Sequence, residues 1–199
     1  ETNVVKVTVI NFVPGSIASD QTICEGTAPA AFTSVVASGD GVLTYQWQDS
    51  PDGIIFTDIP AATSATYTSV SLIADTWFKR VVTASLNGTD CMEETNVIKV
   101  TVNNFIPGSI LADQTICEGV APLALTSVAP TGDGTFTYQW QSSLDGLSYS
   151  NIIGANLSTY APAALTADTW YKRQVTSTLN GNTCSEETND VEITVLNFI

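Results

Sequence analysis

Four cysteines are the first residues able to do chemistry. Cys24 and Cys91 stand 67 residues apart, and so do Cys117 and Cys184. No C-x-x-C or C-x-x-H spacing occurs and the chain has no histidine, so a zinc site lacks both its usual spacing and its usual nitrogen ligand. The missing histidine also removes Ser–His and Cys–His nucleophilic catalysis. An even count at equal spacing reads as two disulfides, Cys24–Cys91 and Cys117–Cys184, made in an oxidising compartment. Each would contribute about 4 kcal/mol in the chain-entropy picture and limit stretching under load. The alternative is a pair of free buried thiols in each half of the chain.

Carboxylates come next. Glu93 with Glu94, or Asp90 nearby, are the candidates for a pair of acids, but glycoside hydrolysis needs two acids roughly 5–10 Å apart in a cleft. These three adjoin a turn and are expected to face solvent, so no catalytic residue is assigned and the chain is read as a non-enzyme. Calcium binding needs six to eight oxygens. Asp90, Glu93, Glu94 and Asn96, or Asp20 and Asp113, can supply several, yet no D-x-D run exists; calcium stays an alternative to an assignment of no cofactor and no metal. Lys79-Arg80 and Lys172-Arg173 are the basic pairs, expected to neutralise acids on their own sheet.

The elements that carry these residues repeat. The string ETN opens at Glu1, Glu94 and Glu187, an offset of 93 each time. DQTICEG recurs at Asp20 and Asp113, TYQWQ at Thr44 and Thr137, and ADTW at Ala74 and Ala167. A period of 93 is too long for a solenoid unit and suits a whole small domain. The expected division is 1–12 as the last strand of a preceding repeat, 13–105 as the first module and 106–199 as the second. The chain therefore reads as a piece of a longer array. A rival frame would start each module at ETN.

Within one module, alternation predicts strands over Val4–Val9 and its copy Val97–Val102. Further strands are expected over Gln21–Cys24, Phe32–Val36, Leu43–Trp47, Ile55–Ile59, Ala65–Thr68 and Trp77–Ala84. Asn87-Gly88 suits a hairpin turn. About seven short strands and no amphipathic helix make an all-β chain of tandem immunoglobulin-like β-sandwich modules. Tyr45-Gln46-Trp47-Gln48 resembles the third immunoglobulin strand, whose tryptophan plugs the core. The cysteines depart from that pattern, since they lie near the first and last strands and would clamp an edge. Trp77 and Trp170 are expected in the core, the alternative being exposed rings that bind glycans.

Charge narrows the partners. Six Lys and Arg against twenty Asp and Glu leave a net charge of −14, which repels nucleic acid and anionic membrane. No apolar run approaches the ~18 residues of a membrane span, so no direct membrane insertion is expected. Between the copies, Pro51–Ser64 and Leu144–Leu157 differ most, marking a tolerant loop or a ligand-facing surface.

DQTICEG, TYQWQ, ADTW-[FY]-KR and the closing L-N-G, Cys and ETN together resemble the immunoglobulin-like or PKD-like repeats of giant Bacteroidota cell-surface adhesins that serve gliding motility. The resemblance spans nearly the whole chain. It implies export by the type IX secretion system, an extracellular place on the outer-membrane surface, and adhesion to surface polysaccharide or a solid substrate, with neighbouring repeats as contacts. It supplies no catalytic residue. Other readings are a carbohydrate-binding module and a subunit of an extracellular filament.

Overall fold

Alternating β-branched and polar residues bounded by Gly, Pro and Asn leave the chain little choice but strands and turns. A computed structural model describes residues 3–197 and contains twenty short strands and no helix among them. The chain separates into two compact units, Glu1–Val102 and Asn103–Ile199.

In the first unit the strands are β1 (Phe12–Val13), β2 (Ser16–Ala18), β3 (Gln21–Cys24), β4 (Thr33–Val35), β5 (Ser38–Gly39), β6 (Val42–Ser50), β7 (Thr57–Asp58), β8 (Thr76–Leu86), β9 (Thr89–Glu94) and β10 (Ile98–Asn103). The main sheet runs β3-β10-β8-β6-β7, with β9 also on β8. Two small ladders, β1 with β5 and β2 with β4, cover its other side. The second unit repeats this as β11 (Phe105–Ile106), β12 (Ser109–Ile110), β13 (Gln114–Cys117), β14 (Ser127–Val128), β15 (Thr131–Gly132), β16 (Thr135–Ser143), β17 (Ser150–Asn151), β18 (Thr169–Leu179), β19 (Asn182–Glu187) and β20 (Val191–Leu196). Each unit is an immunoglobulin-like sandwich.

The final strand has two halves. Asn87-Gly88 and Asn180-Gly181 all have positive φ, the geometry of a type I′ turn, and fold β9 and β19 back on β8 and β18. Register then slips. Val81 faces Glu94 and Phe78 faces Ile98, so three steps on β8 match four on its partner. The extra residue is a bulge around Thr95, where the Thr95 hydroxyl accepts the Arg80 amide at 3.0 Å. Thr188 does the same for Arg173.

Alternation along the long strands decides what is buried. Phe78, Arg80 and Val82 point inward from β8, while Trp77 and Lys79 point out. The first core gathers Ile17, Phe32, Trp47, Phe78, Ile98 and Val100, and Leu125, Trp140, Tyr171 and Ile193 lead the second. Trp47 and Trp140 are fully buried. Each indole N–H donates to a loop carbonyl, Ser64 at 3.0 Å and Leu157 at 2.9 Å, so neither buried indole is left unpaired.

Three expectations change here. Residues 3–11 form no strand, and Val4, Val5, Val7 and Val9 are exposed. Their alternation marks a face that wants burial, but no partner strand meets it among the described residues; Glu1 and Thr2 of this segment lie outside them. Ala65–Thr68 is reduced to a single bridge between Phe32 and Tyr67, because Ala65 gives its carbonyl to Arg80. Trp77 and Trp170 are half-buried on the outer face; the core positions beside them belong to Phe78 and Tyr171.

Candidate functional site

The expected disulfides Cys24–Cys91 and Cys117–Cys184 are absent. Cys91 and Cys117 carry free thiols, whereas Cys24 and Cys184 are disulfide-bonded. Register supplies the reason. β13 runs parallel to β20 and sets Cys117 beside Leu196. Cys184 sits on β19 opposite Ser177, twelve residues back along the same strand. At ~3.3 Å per residue that separation is about 35–40 Å, and a disulfide needs Cα atoms within roughly 7 Å. The same strand order holds in the first unit. Each module thus carries one cysteine at either end, and neither pair can clamp an edge.

The carboxylates do not assemble. Glu93 and Glu94 are successive residues of β9 and point to opposite faces. Glu94 pairs with Lys79 at 2.7 Å and Glu187 with Lys172 at 2.6 Å. Asp90 accepts the Ser85 hydroxyl at 2.6 Å, and Asp20 and Asp113 accept the Lys99 and Glu192 amides at 2.8 Å. Asn96 exchanges two hydrogen bonds with the Ile17 backbone. These groups serve the sheet, and no cluster of three or more metal-ligating side chains occurs among the described residues.

The basic pairs divide their work. Lys79 and Lys172 meet acids, as expected. Arg80 and Arg173 do not: they are completely buried, and no carboxylate pairs with them among the described residues. The Arg80 guanidinium donates to the carbonyls of Ala65, Pro14 and Val35. It lies 5.0 Å from the Tyr45 ring centre. Arg173 binds the Ser158, Pro107 and Val128 carbonyls and the Ser127 hydroxyl. Burial lowers both guanidinium pKa values, with the Tyr45 and Tyr138 phenols acting the other way. Each arginine ties the loops of one sheet to the middle of the other. A buried cation among carbonyls leaves no mark in a sequence beyond a charged residue at an inward position.

The segment that varies between copies is rigid at its base. Ser50 donates to Asp52 at 2.8 Å, and Asp52 accepts the Ile54 and Ile55 amides at 2.8 and 3.0 Å. Ser143 and Asp145 repeat this with Leu147 and Ser148. The Ile54 amide and its neighbours hold the Asp52 carboxyl below its usual range. The Ser148 amide, then Leu147 and Ser143, bring Asp145 down to about 2. Apolar side chains stand out from this base. Ile54 is 80% exposed, Leu147 85% and Ile153 100%. Beside them the second module has a shallow cleft of about 260 Å³ lined by Ile152, Gly154, Ala155, Leu157 and Tyr160.

Trp77 and Trp170 flank the same loops. Gly53 lies against the Trp77 ring and Gly146 against Trp170. Lys99 stands 4.8 Å over Trp77 and is paired with Asp75 at 2.7 Å. The second copy has Glu192 at the matching position.

Comparisons with known proteins agree with two modules. The family described as "Domain of unknown function (DUF8696)" matches residues 13–104 and again 106–197. A search of the curated proteins finds no match. Among solved structures, Sidekick-1 immunoglobulin domains 1–5 are 16% identical with a TM-score of 0.42, over 94% of this chain and 38% of that one. The chain therefore spans well under half of that structure. The tandem Ig repeats of Dlar are 13% identical with a TM-score of 0.34, over 95% and 98% of the two chains. Fibronectin(III)-like modules of CbhA from Clostridium thermocellum are 14% identical with a TM-score of 0.37, over 95% of each.

Proposed function

We propose, for a chain that belongs to the DUF8696 family through two consecutive copies of its domain, the role of a repeat segment in a large bacterial cell-surface adhesin. Tandem immunoglobulin-like modules and a disulfide fit an extracellular protein, and no helix among the described residues is long and apolar enough to cross a membrane. In this reading the modules form an adhesive stalk on the outer-membrane surface, exported by type IX secretion, that attaches cells to surface polysaccharide or a solid substrate during gliding.

The carrying observation is the contrast inside each module. The buried Trp and Arg anchors are kept in both copies, while the Ser–Asp-anchored loop differs beyond its base and presents exposed apolar side chains. A fixed base under a variable apolar tip suits a contact surface, and many weak contacts add through avidity. The test exchanges Pro51–Ser64 with Leu144–Leu157 and removes the tip side chains Ile54, Leu147 and Ile153 in beads coated with the chain. Bead retention on polysaccharide and on bare glass should fall with tip removal and shift with exchange. Unchanged retention with intact folding would sink the adhesive reading.

A further inference from the structure

One lysine separates the outer faces of the two modules. In the first module the Trp77 indole is already occupied. Gly53 packs against its five-membered ring, and the Lys99 ammonium stands 4.8 Å over the ring centre. The same ammonium pairs with Asp75 at 2.7 Å. Trp77 and Lys99 are direct cross-strand partners on β8 and β10. An indole and a carboxylate thus hold one cation between them, the ring through its quadrupole and the acid through its charge.

The second module keeps every part except the cation. Trp170 is half-buried in the place of Trp77, with Gly146 against its ring. Asp168 stands where Asp75 does and is anchored in the same way. Its Oδ1 accepts the Val195 amide at 2.7 Å, as Asp75 Oδ1 accepts the Val102 amide at 2.8 Å. Asp75 gives its Oδ2 to Lys99, whereas Asp168 has no cationic partner among the described residues. The position of Lys99 is taken by Glu192, directly across from Trp170. The backbone there is unchanged, since Asp113 accepts the Glu192 amide and Asp20 the Lys99 amide, both at 2.8 Å.

Nothing in the second module can supply the missing charge. Its basic residues are Lys172 and Arg173 alone. Lys172 pairs with Glu187 at 2.6 Å and stands over the Tyr149 ring. Arg173 is buried among loop carbonyls. A neutral residue at position 192 would only have removed the cation. Glutamate adds a second acceptor beside the ring, and the two acids repel where the first module has an attraction.

We infer that Trp170, Asp168 and Glu192 form a binding site for a lysine side chain of a partner protein, whose ammonium takes the place that Lys99 fills in the first module. The first module is the self-occupied form of that site. The donor set selects a compact organic cation. A divalent metal ion such as calcium needs six or more oxygens, whereas an indole beside two carboxylates suits an ammonium. One such contact is weak, because exposed ion pairs and cation–π contacts each contribute little. Loop-tip adhesion is a separate matter, since none of the three residues lies in the segments exchanged to test it.

The test is an NMR titration of the whole isotope-labelled chain with Nα-acetyl-lysine methylamide. Trp170→Phe and Trp77→Phe identify the two indole N–H signals. The expected result is a saturable movement of the Trp170 signal in the millimolar range, with the Trp77 signal in place. The Nζ-acetylated probe has the same stem without the charge and should move neither. Glu192→Lys should abolish the Trp170 response by filling the site from within, and Lys99→Glu should confer a response on Trp77. Asp168→Asn and Glu192→Gln should each weaken binding roughly 2–5-fold. Undisturbed Trp47 and Trp140 signals show that each variant is folded. Equal movement of Trp77 and Trp170, or no movement through the millimolar range, would overturn the proposal. So would an equal response to the Nζ-acetylated probe, or a silent Trp77 in a folded Lys99→Glu chain. Tighter binding of glucosamine, which carries its ammonium on a sugar ring, would overturn it too. Bead retention plays no part in this readout, so failure here and failure of the adhesive reading are separate outcomes.

Discussion

The two modules are one design with different surroundings at three places. The buried anchors match: Trp47 and Trp140 donate to a loop carbonyl, Arg80 and Arg173 bind loop carbonyls, and Gly15 and Gly108 take positive φ against the next segment, while core positions around them trade side chains, Phe32 for Leu125, Phe78 for Tyr171 and Val100 for Ile193. Three further differences lie outside the core. Cys91 is a half-buried thiol where Cys184 is buried and bonded. Lys99 covers Trp77 where Glu192 stands in the second copy. Phe56 sits under Lys79 where Tyr149 sits under Lys172 and also donates to Asp190 at 2.8 Å. Packing lets matched core positions trade volume against one another, while the outer face is free to acquire contacts.

The comparison is broken hardest at the tryptophans. Trp47→Ala and Trp140→Ala should each cost about 3–5 kcal/mol, equally in the two modules, read as loss of one module's unfolding transition in guanidinium. Unequal losses would show that the cores are not equivalent.

Next come the arginines. Arg80→Met and Arg173→Met keep the aliphatic stem but abandon several carbonyls, each worth about 1–3 kcal/mol when left unpaired and buried. Stability should fall in both, and more in the second module, where the Ser127 hydroxyl also loses the hydrogen bond it accepts from Arg173. A neutral Arg173→Met would mean that water replaces the guanidinium.

Gly15→Ala and Gly108→Ala test the shared turn. A Cβ there would stand 2.1 or 2.2 Å from the Val35 or Val128 carbonyl oxygen, with φ near +70°. Each should cost about 1–3 kcal/mol by urea titration of the matching module.

How much of this was legible depended on whether a residue's role is local. Alternation in Leu43-Tyr45-Trp47 gave the inner face of β6, and Asn87-Gly88 gave the hairpin, because both act within a few residues. Trp77 was placed on the wrong face because Trp77 and Phe78 are both apolar, and only cross-strand register with Lys99 and Ile98 separates them. The cysteines were hardest. Their spacing of 67 is the same whether the two lie together or at opposite ends, and the parallel pairing of β13 with β20 decides it. That pairing joins segments about eighty residues apart and has no local signature. Arg80 failed similarly, since its carbonyl partners come from three separate loops.

Smaller effects sharpen the outer-face contrast. Tyr149→Phe converts the second copy to the first copy's residue and removes one exposed hydrogen bond, for a loss of about 0.5 kcal/mol or less. Phe56→Tyr should gain nothing, because Val97 occupies the position matching Asp190.

The smallest effect is at the loop base. Asp145 titrates at about 2 in the folded protein, held down first by the Ser148 amide, then by Leu147 and Ser143, against an ordinary 3.8. A depressed carboxylate contributes its stabilisation in full above its unfolded pKa and loses it as pH falls through the folded one. The Leu147 and Ser148 amide hydrogen bonds should therefore hold from neutral pH to about 4, weaken below that and be lost near 2. Carboxyl NMR titration of Asp145 with amide exchange at Leu147 and Ser148 reads this directly. Asp145→Asn should loosen the loop at every pH while leaving the Trp140 core signals in place. An Asp145 that titrates near 3.8 would mean the tip is not anchored, and the rigid base that distinguishes this loop from an ordinary variable one would be gone.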